Sequence, residues 1–117
     1  VWRLRGERGF VGFFEAPVVR GDTVYAASGD AHAYAADLAT GRLLWRTPTP
    51  AANSSFALCG RKFFVNYLGL GVLDAGTGRL TRTAYDGDDE FPTSGFAVSG
   101  RRAYVFGNRA VYALRCG

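Results

Sequence analysis

"AADLATGRLLW", residues 35–45, and "VLDAGTGRLTR", residues 72–82, write the same turn twice. In each copy a compact apolar residue (Ala35, Val72) precedes an acid by two positions (Asp37, Asp74), and a Thr-Gly pair follows (Thr40 and Gly41; Thr77 and Gly78). A short carboxylate at the end of a strand can accept the N–H groups of a turn, a threonine hydroxyl can close it, and glycine supplies the positive φ that a short hairpin loop requires. The first copy ends on Trp45, a large flat surface suited to packing between units, with Ala35 leaving it room. The stretch thus reads as a joint rather than an active site.

Outward from that joint, three further segments align on a glycine: "PVVRGDTVYAAS" at 17–28, "FALCGRKFFVNY" at 56–67 and "FAVSGRRAYVFG" at 96–107. Gly21, Gly60 and Gly100 recur at a period of about 40 residues. Each segment is an apolar strand, a glycine turn and an alternating aromatic and β-branched strand, which predicts a hairpin. Third strands follow in "AHAYAAD", "LGVLD" and "RAVYALR", and fourth strands in "RLLWRT" and "RLTRTAY". Four short strands in such a period are a propeller blade, whereas solenoid units are shorter or contain helices. The expected fold is all-β, a β-propeller segment of about three four-stranded antiparallel blades. Its parts are an orphan outer strand at 1–5, a blade at 14–47, a blade at 54–84 and a three-stranded blade at 93–115. The orphan is inferred because "VWRL" at 1–4 matches "LWRT" at 44–47, which places Trp2 in the role of Trp45.

Composition agrees with a folded β domain: 117 residues, 48% hydrophobic and 15% aromatic. No segment approaches the ~20 apolar residues of a membrane span. Methionine is absent, so the sequence reads as a mature or excised piece. The net charge is +4, and all but one of the 14 basic residues are arginine, Lys62 being the exception. No aromatic-and-arginine stacking motif accompanies that charge, and nucleic acid is not expected as a partner.

The spacing Ala-x-Asp-x-x-Thr-Gly-x-x-x-Trp, complete in Ala35, Asp37, Thr40, Gly41 and Trp45, resembles the tryptophan-docking repeat of the PQQ-like (quinoprotein-type) β-propellers. Asp74, Thr77 and Gly78 keep the second copy, with Arg82 in the tryptophan's place; in the third, Ala113 is retained and Arg115 replaces the acid. The resemblance implies several roles. One is a non-catalytic module for protein or ligand binding, such as the extracytoplasmic sensor of a bacterial Ser/Thr kinase. Others are a portion of a PQQ-dependent dehydrogenase, or a scaffold similar to the outer-membrane barrel-assembly lipoprotein. Such dehydrogenases hold their quinone with calcium, an Asp base and, in many members, adjacent cysteines; this sequence has no Cys-Cys pair, and no cofactor is expected. The resemblance points to a periplasmic or secreted location. Three blades do not close a ring. The partner is therefore either the remaining blades or another protein, or a second copy that completes the last blade by strand complementation.

The other candidate sites have plainer readings. "DGDDE" at 86–90 offers Asp86, Asp88 and Glu90 to a hard cation but lacks the rest of a calcium loop, so it reads as an inter-blade loop. His32 has no nucleophile in a matching motif. "RGD" at 20–22 is a hairpin turn, and "NSS" at 53–55 a loop. In a blade the first and third turns share one face of the disc. Arg20, Arg61, Lys62, Arg101 and Arg102 therefore form a basic rim, joined by Arg42 and Arg79, which either serves an acidic partner or only reflects the polar residues that turns need. Asp30 and the 86–90 acids fall on the opposite face. Cys59 and Cys116 are placed more than two strand positions apart, at ~4.8 Å per step, beyond the ~7 Å a disulfide tolerates. Two free thiols are expected.

Overall fold

The computed structural model describes residues 1–5, 16–49, 55–66, 69–84, 95–107 and 109–117, with the backbone alone at 82–84. The first sheet is a meander of β1 (Val18–Arg20), β2 (Thr23–Ser28), β3 (His32–Asp37) and β4 (Leu43–Pro48). The second repeats it with β5 (Ser55–Cys59), β6 (Lys62–Asn66), β7 (Leu70–Asp74) and β8 (Leu80–Ala84). The third holds β9 (Ala97–Ser99), β10 (Arg102–Phe106) and β11 (Val111–Arg115). Every neighbouring pair is antiparallel, and all regular elements among the described residues are strands. Residues 1–5 join none of the three sheets.

Local chemistry sets the hairpins. Gly21, Gly60 and Gly100 have φ of +59°, +58° and +58°, and each opens a two-residue loop between first and second strands, as a II′ turn demands. A longer, five-residue loop joins the third and fourth strands, and there Gly41 and Gly78 have φ of +74° and +76°. The register shifts at the same place in both full sheets, between Ala35 and Ala36 and between Val72 and Leu73. One residue at that bulge turns the fourth strand so that its next side chain faces the neighbouring sheet.

The sheets stack face to face. Tyr25, Ala27, Ala33, Ala35 and Trp45 of the first meet Phe56, Phe63, Val65, Leu73 and Ala75 of the second. Phe63 is the centre of that layer, its ring 5.0 Å from Phe56 in a parallel stack, 5.7 Å from Trp45 edge-on and 6.1 Å from Tyr25. On the other face of the second sheet, Phe64, Leu70 and Val72 pack with Ala103, Val105, Cys59 and Cys116. Because β6 is covered on both sides, it reads as the unbroken apolar run Phe63, Phe64, Val65. In β10 burial alternates instead, and Tyr104 and Phe106 stay exposed on the far face.

The expected free thiols are corrected. Cys59 and Cys116 form a disulfide with a Cα–Cα separation of 5.3 Å. Counting strand steps measures displacement within one sheet and puts Cys116 toward the outside. Its backbone N–H, however, donates to Arg101 O at 3.0 Å, one step beyond the Arg102–Arg115 pair, so the chain past β11 continues the ladder alongside the turn of its own first hairpin. There it faces the Gly60 turn of the second sheet, where a Cβ would lie 3.0 Å from Cys116 O.

Phe63 is fully buried and touches three other aromatic rings. Phe63→Ala is expected to cost about 3–5 kcal/mol in a denaturant titration, and a loss below about 1 kcal/mol would contradict the stacking described.

Candidate functional site

The repeated acid-threonine turn is a closed hydrogen-bond unit in both copies. Asp37 Oδ1 accepts from Ala39 N–H (3.0 Å), Thr40 N–H (2.9 Å) and Thr40 Oγ1 (2.9 Å), while Thr40 Oγ1 accepts from Arg42 N–H at 3.2 Å. Asp74 does the same with Gly76 N–H (2.9 Å), Thr77 N–H (2.9 Å) and Thr77 Oγ1 (3.3 Å), and Thr77 Oγ1 accepts from Arg79 N–H at 3.3 Å. These donors favour the charged carboxylate. Asp37 is held below the ordinary aspartate range mainly by the Thr40 N–H and then by its hydroxyl; Asp74 is lowered chiefly by the Thr77 N–H.

The turn then receives an indole. Trp45 Nε1 donates to Ala75 O at 3.0 Å, and its ring lies where a Cβ on Gly78 would be. Thr47 Oγ1 donates to Gly78 O beside it. Trp2 repeats the contact one unit earlier, with Nε1 donating to Leu38 O at 2.9 Å and its ring over Gly41. Ala35, fully buried, pairs with Trp45 across β3 and β4 and cedes the space the indole occupies. The structure therefore places Ala35, Asp37, Thr40, Gly41, Trp45, Asp74, Thr77, Gly78 and Trp2 in two successive joints.

The basic rim divides. Arg20 spans the first seam, Nη1 donating to Gly60 O at 2.6 Å with its guanidinium 5.9 Å from the Tyr25 ring. Arg61 faces Asp74 and helps hold it ionised. Lys62, Arg101 and Arg102 come together in one pocket with Arg115 and Gly117. Lys62 Nζ also donates to Arg115 O at 3.0 Å. Arg115 was not among the expected rim residues; its signal was the arginine standing where the other repeats have an acid. A larger groove opens alongside, lined by Phe64, Leu70, Val72, Thr81, Ala113 and Leu114, with Lys62 and Arg115 at its charged end.

On the opposite face Asp30 is buried, with Tyr34 Oη donating to its Oδ2, His32 Nδ1 3.5 Å from its Oδ1, and Ser28 Oγ accepting Asp30 N–H at 3.2 Å. The 86–90 acids and Asn53 lie outside the described residues. The described residues do not fit a quinone with its hard cation. No three His, Cys, Asp or Glu side chains among them converge, Asp37 and Asp74 spend Oδ1 on their turns, and the two cysteines are bonded to each other across a seam.

Trp45→Ala is expected to cost about 3–5 kcal/mol, and Trp2→Ala, which is only half-buried, at most about 1–2 kcal/mol; chemical denaturation of both variants checks the order. The aspartates predict a pH dependence. A carboxylate lowered by folding stabilises above its unfolded value and loses that contribution as pH falls through the folded one. Melting temperature should therefore fall below about pH 4, and Asp37→Asn with Asp74→Asn should flatten that fall; an unaltered acid limb would count against the turn geometry.

The fold has known counterparts. The chain aligns with the computationally designed Ika4 protein at a TM-score of 0.71 and 15% identity, covering 86% of this chain and 64% of that one. BamB from Moraxella catarrhalis gives 0.64 and 17%, with 86% and 32% covered, and a europium-containing methanol dehydrogenase gives 0.67 and 22%, with 86% and 22% covered. The chain thus spans less than two thirds of each, and at these identities the likeness is one of fold. No curated protein sequence matches it. A family sequence pattern described as outer membrane protein assembly factor BamB matches residues 1–88. With its indoles seated on glycine turns at successive joints, the chain belongs to that PQQ-type β-propeller family.

Proposed function

We propose that this chain is a non-catalytic binding module, a propeller segment that docks an acidic protein partner on its basic rim. The observation that carries the reading is the pocket where Lys62, Arg101, Arg102 and Arg115 converge from two blades. Four cationic groups on a concave seam raise the local concentration of anionic side chains and steer their approach. The repeat's most specific residues are meanwhile spent on joints, and the family description, an assembly factor, favours protein docking over quinone chemistry. A sensor role in a larger regulatory protein is compatible with the same surface.

The proposed location is extracytoplasmic. A disulfide across a seam is at home in an oxidising compartment. No helix among the described residues is long and apolar enough to cross a membrane. The far face of the third sheet awaits a further blade of the same repeat. Tyr104 stands four residues past its turn glycine, as do Tyr25 and Phe64, and those two are buried by the next sheet while Tyr104 is exposed.

The test is binding of fluorescein-labelled hexaglutamate, read by anisotropy. Binding should weaken at least about tenfold between low salt and 0.5 M NaCl, and Arg101→Glu with Arg102→Glu should abolish it. Binding that is indifferent to salt and to the charge reversal would overturn the reading. Quinone with Ca²⁺ should leave the visible spectrum of the mixture the sum of its parts; a new protein-dependent band would support the dehydrogenase alternative.

A further inference from the structure

The seam between the second and third sheets is joined by different chemistry from the two before it. At those joints the residue just past the third strand bonds in two directions. Its N–H donates to the first-hairpin turn of its own unit, Leu38 to Asp22 O at 2.8 Å and Ala75 to Arg61 O at 2.9 Å. Its carbonyl accepts an indole N–H from the preceding unit, Trp2 at Leu38 and Trp45 at Ala75. Cys116 holds the same position, its N–H donating to Arg101 O at 3.0 Å. The indole that would reach it belongs at residue 82, because Arg82 pairs with Val72 as Trp45 pairs with Ala35, each one residue before the register shift. Arginine there supplies no indole, and Cys116 is bonded to Cys59 instead.

We infer that the Cys59–Cys116 disulfide replaces the missing tryptophan dock, and that the basic pocket spanning this seam is assembled only while the bond is intact. The rest of the seam is an apolar cluster of Phe64, Leu70, Val72, Ala103 and Val105, edged by Phe96, Tyr112 and Leu114, with a smaller residue at its centre than the preceding layer has. Ala103 occupies the position that Phe63 fills in the preceding layer, three residues past the turn glycine, and Phe64 meets Phe96 across the seam at 6.2 Å. The pocket draws Lys62 from one side and Arg101, Arg102 and Arg115 from the other, with the Lys62–Arg115 O bond as its polar tie. The crosslink lies one residue from Arg115 and three from Lys62, so it fixes both. Four like charges repel when nothing holds them together, and an exposed lysine-to-carbonyl bond is too weak to oppose that alone.

The opening reaction is thiol–disulfide exchange with a dithiol reductant. One thiolate attacks a cysteine sulfur, forming a mixed disulfide and expelling the other cysteine as a thiolate. The second thiol of the reductant then displaces the remaining cysteine and leaves as a cyclic disulfide. Two electrons pass to the protein, and two protons complete the Cys59 and Cys116 thiols. The gating of the pocket rests on its reading as an anion site; the disulfide's equivalence to the tryptophan dock does not.

Three measurements test this. Dithiothreitol, or Cys59→Ser with Cys116→Ser, should lower the melting temperature by about 10 °C or more and raise amide exchange in 102–107 and 111–117 ahead of 18–48. Hexaglutamate affinity should fall at least about tenfold on reduction. Arg82→Trp added to the double serine variant should recover at least part of both losses. A melt indifferent to reductant, or an Arg82→Trp change that recovers nothing, overturns the replacement of the dock. Equal hexaglutamate affinity in both redox states overturns the gating. If the oxidised protein binds no hexaglutamate while its melt responds to reductant, the anion-site reading fails and the stapled joint stands.

Discussion

An indole lies flat against a neighbouring turn only if that turn carries no Cβ at the point of contact. The whole architecture depends on this steric condition, because it couples a glycine in one unit to a tryptophan in the unit before it. Gly41 and Gly78 meet it under Trp2 and Trp45, and both adopt the positive φ that the loop also needs. One residue type therefore satisfies the bend of the chain and the packing of the joint together. The aspartate and threonine beside it prepare the turn in advance, so the indole N–H finds its carbonyl already in position.

Much of the fold could be read from residues because each unit is local. The turn glycines, the alternating strands and the acid-threonine turns fall within a dozen residues of one another, and backbone chemistry alone places them. The period of the glycines then fixes the order of the sheets. The docking of Trp45 was legible for the same reason, since its space is made by Ala35 on the adjacent strand.

What was not legible depends on how one sheet faces another. Cys116 comes within 5.3 Å of Cys59 because the β10–β11 ladder carries one step past Arg115, through the Cys116 N–H bond to Arg101, and sets Cys116 against the Gly60 turn of the second sheet. No pattern at 116 announces that bond; only its alignment with Leu38 and Ala75 does. Arg115 joins Lys62, Arg101 and Arg102 as the last residue of β11, paired across the hairpin with Arg102. The buried cluster of Asp30 with Tyr34 and His32 was missed because it rests on a turn where Ala31 takes a φ of +64°, a conformation that sequence assigns to glycine or asparagine first. Asp30 thus carries a carboxylate turned inward on the face where the turns place acidic residues.

The placement of the tryptophans has an optical consequence. The chain contains two, and each is the docked residue of a different joint, Trp2 at the first turn and Trp45 at the second. Trp45 is buried against Phe63 and Tyr25, whereas Trp2 is half in water, so their emission differs in wavelength and in access to a quencher. Intrinsic fluorescence therefore resolves the first two joints separately and is dark to the third, which reports instead through the thiols it would release. Each seam of the molecule carries its own native label.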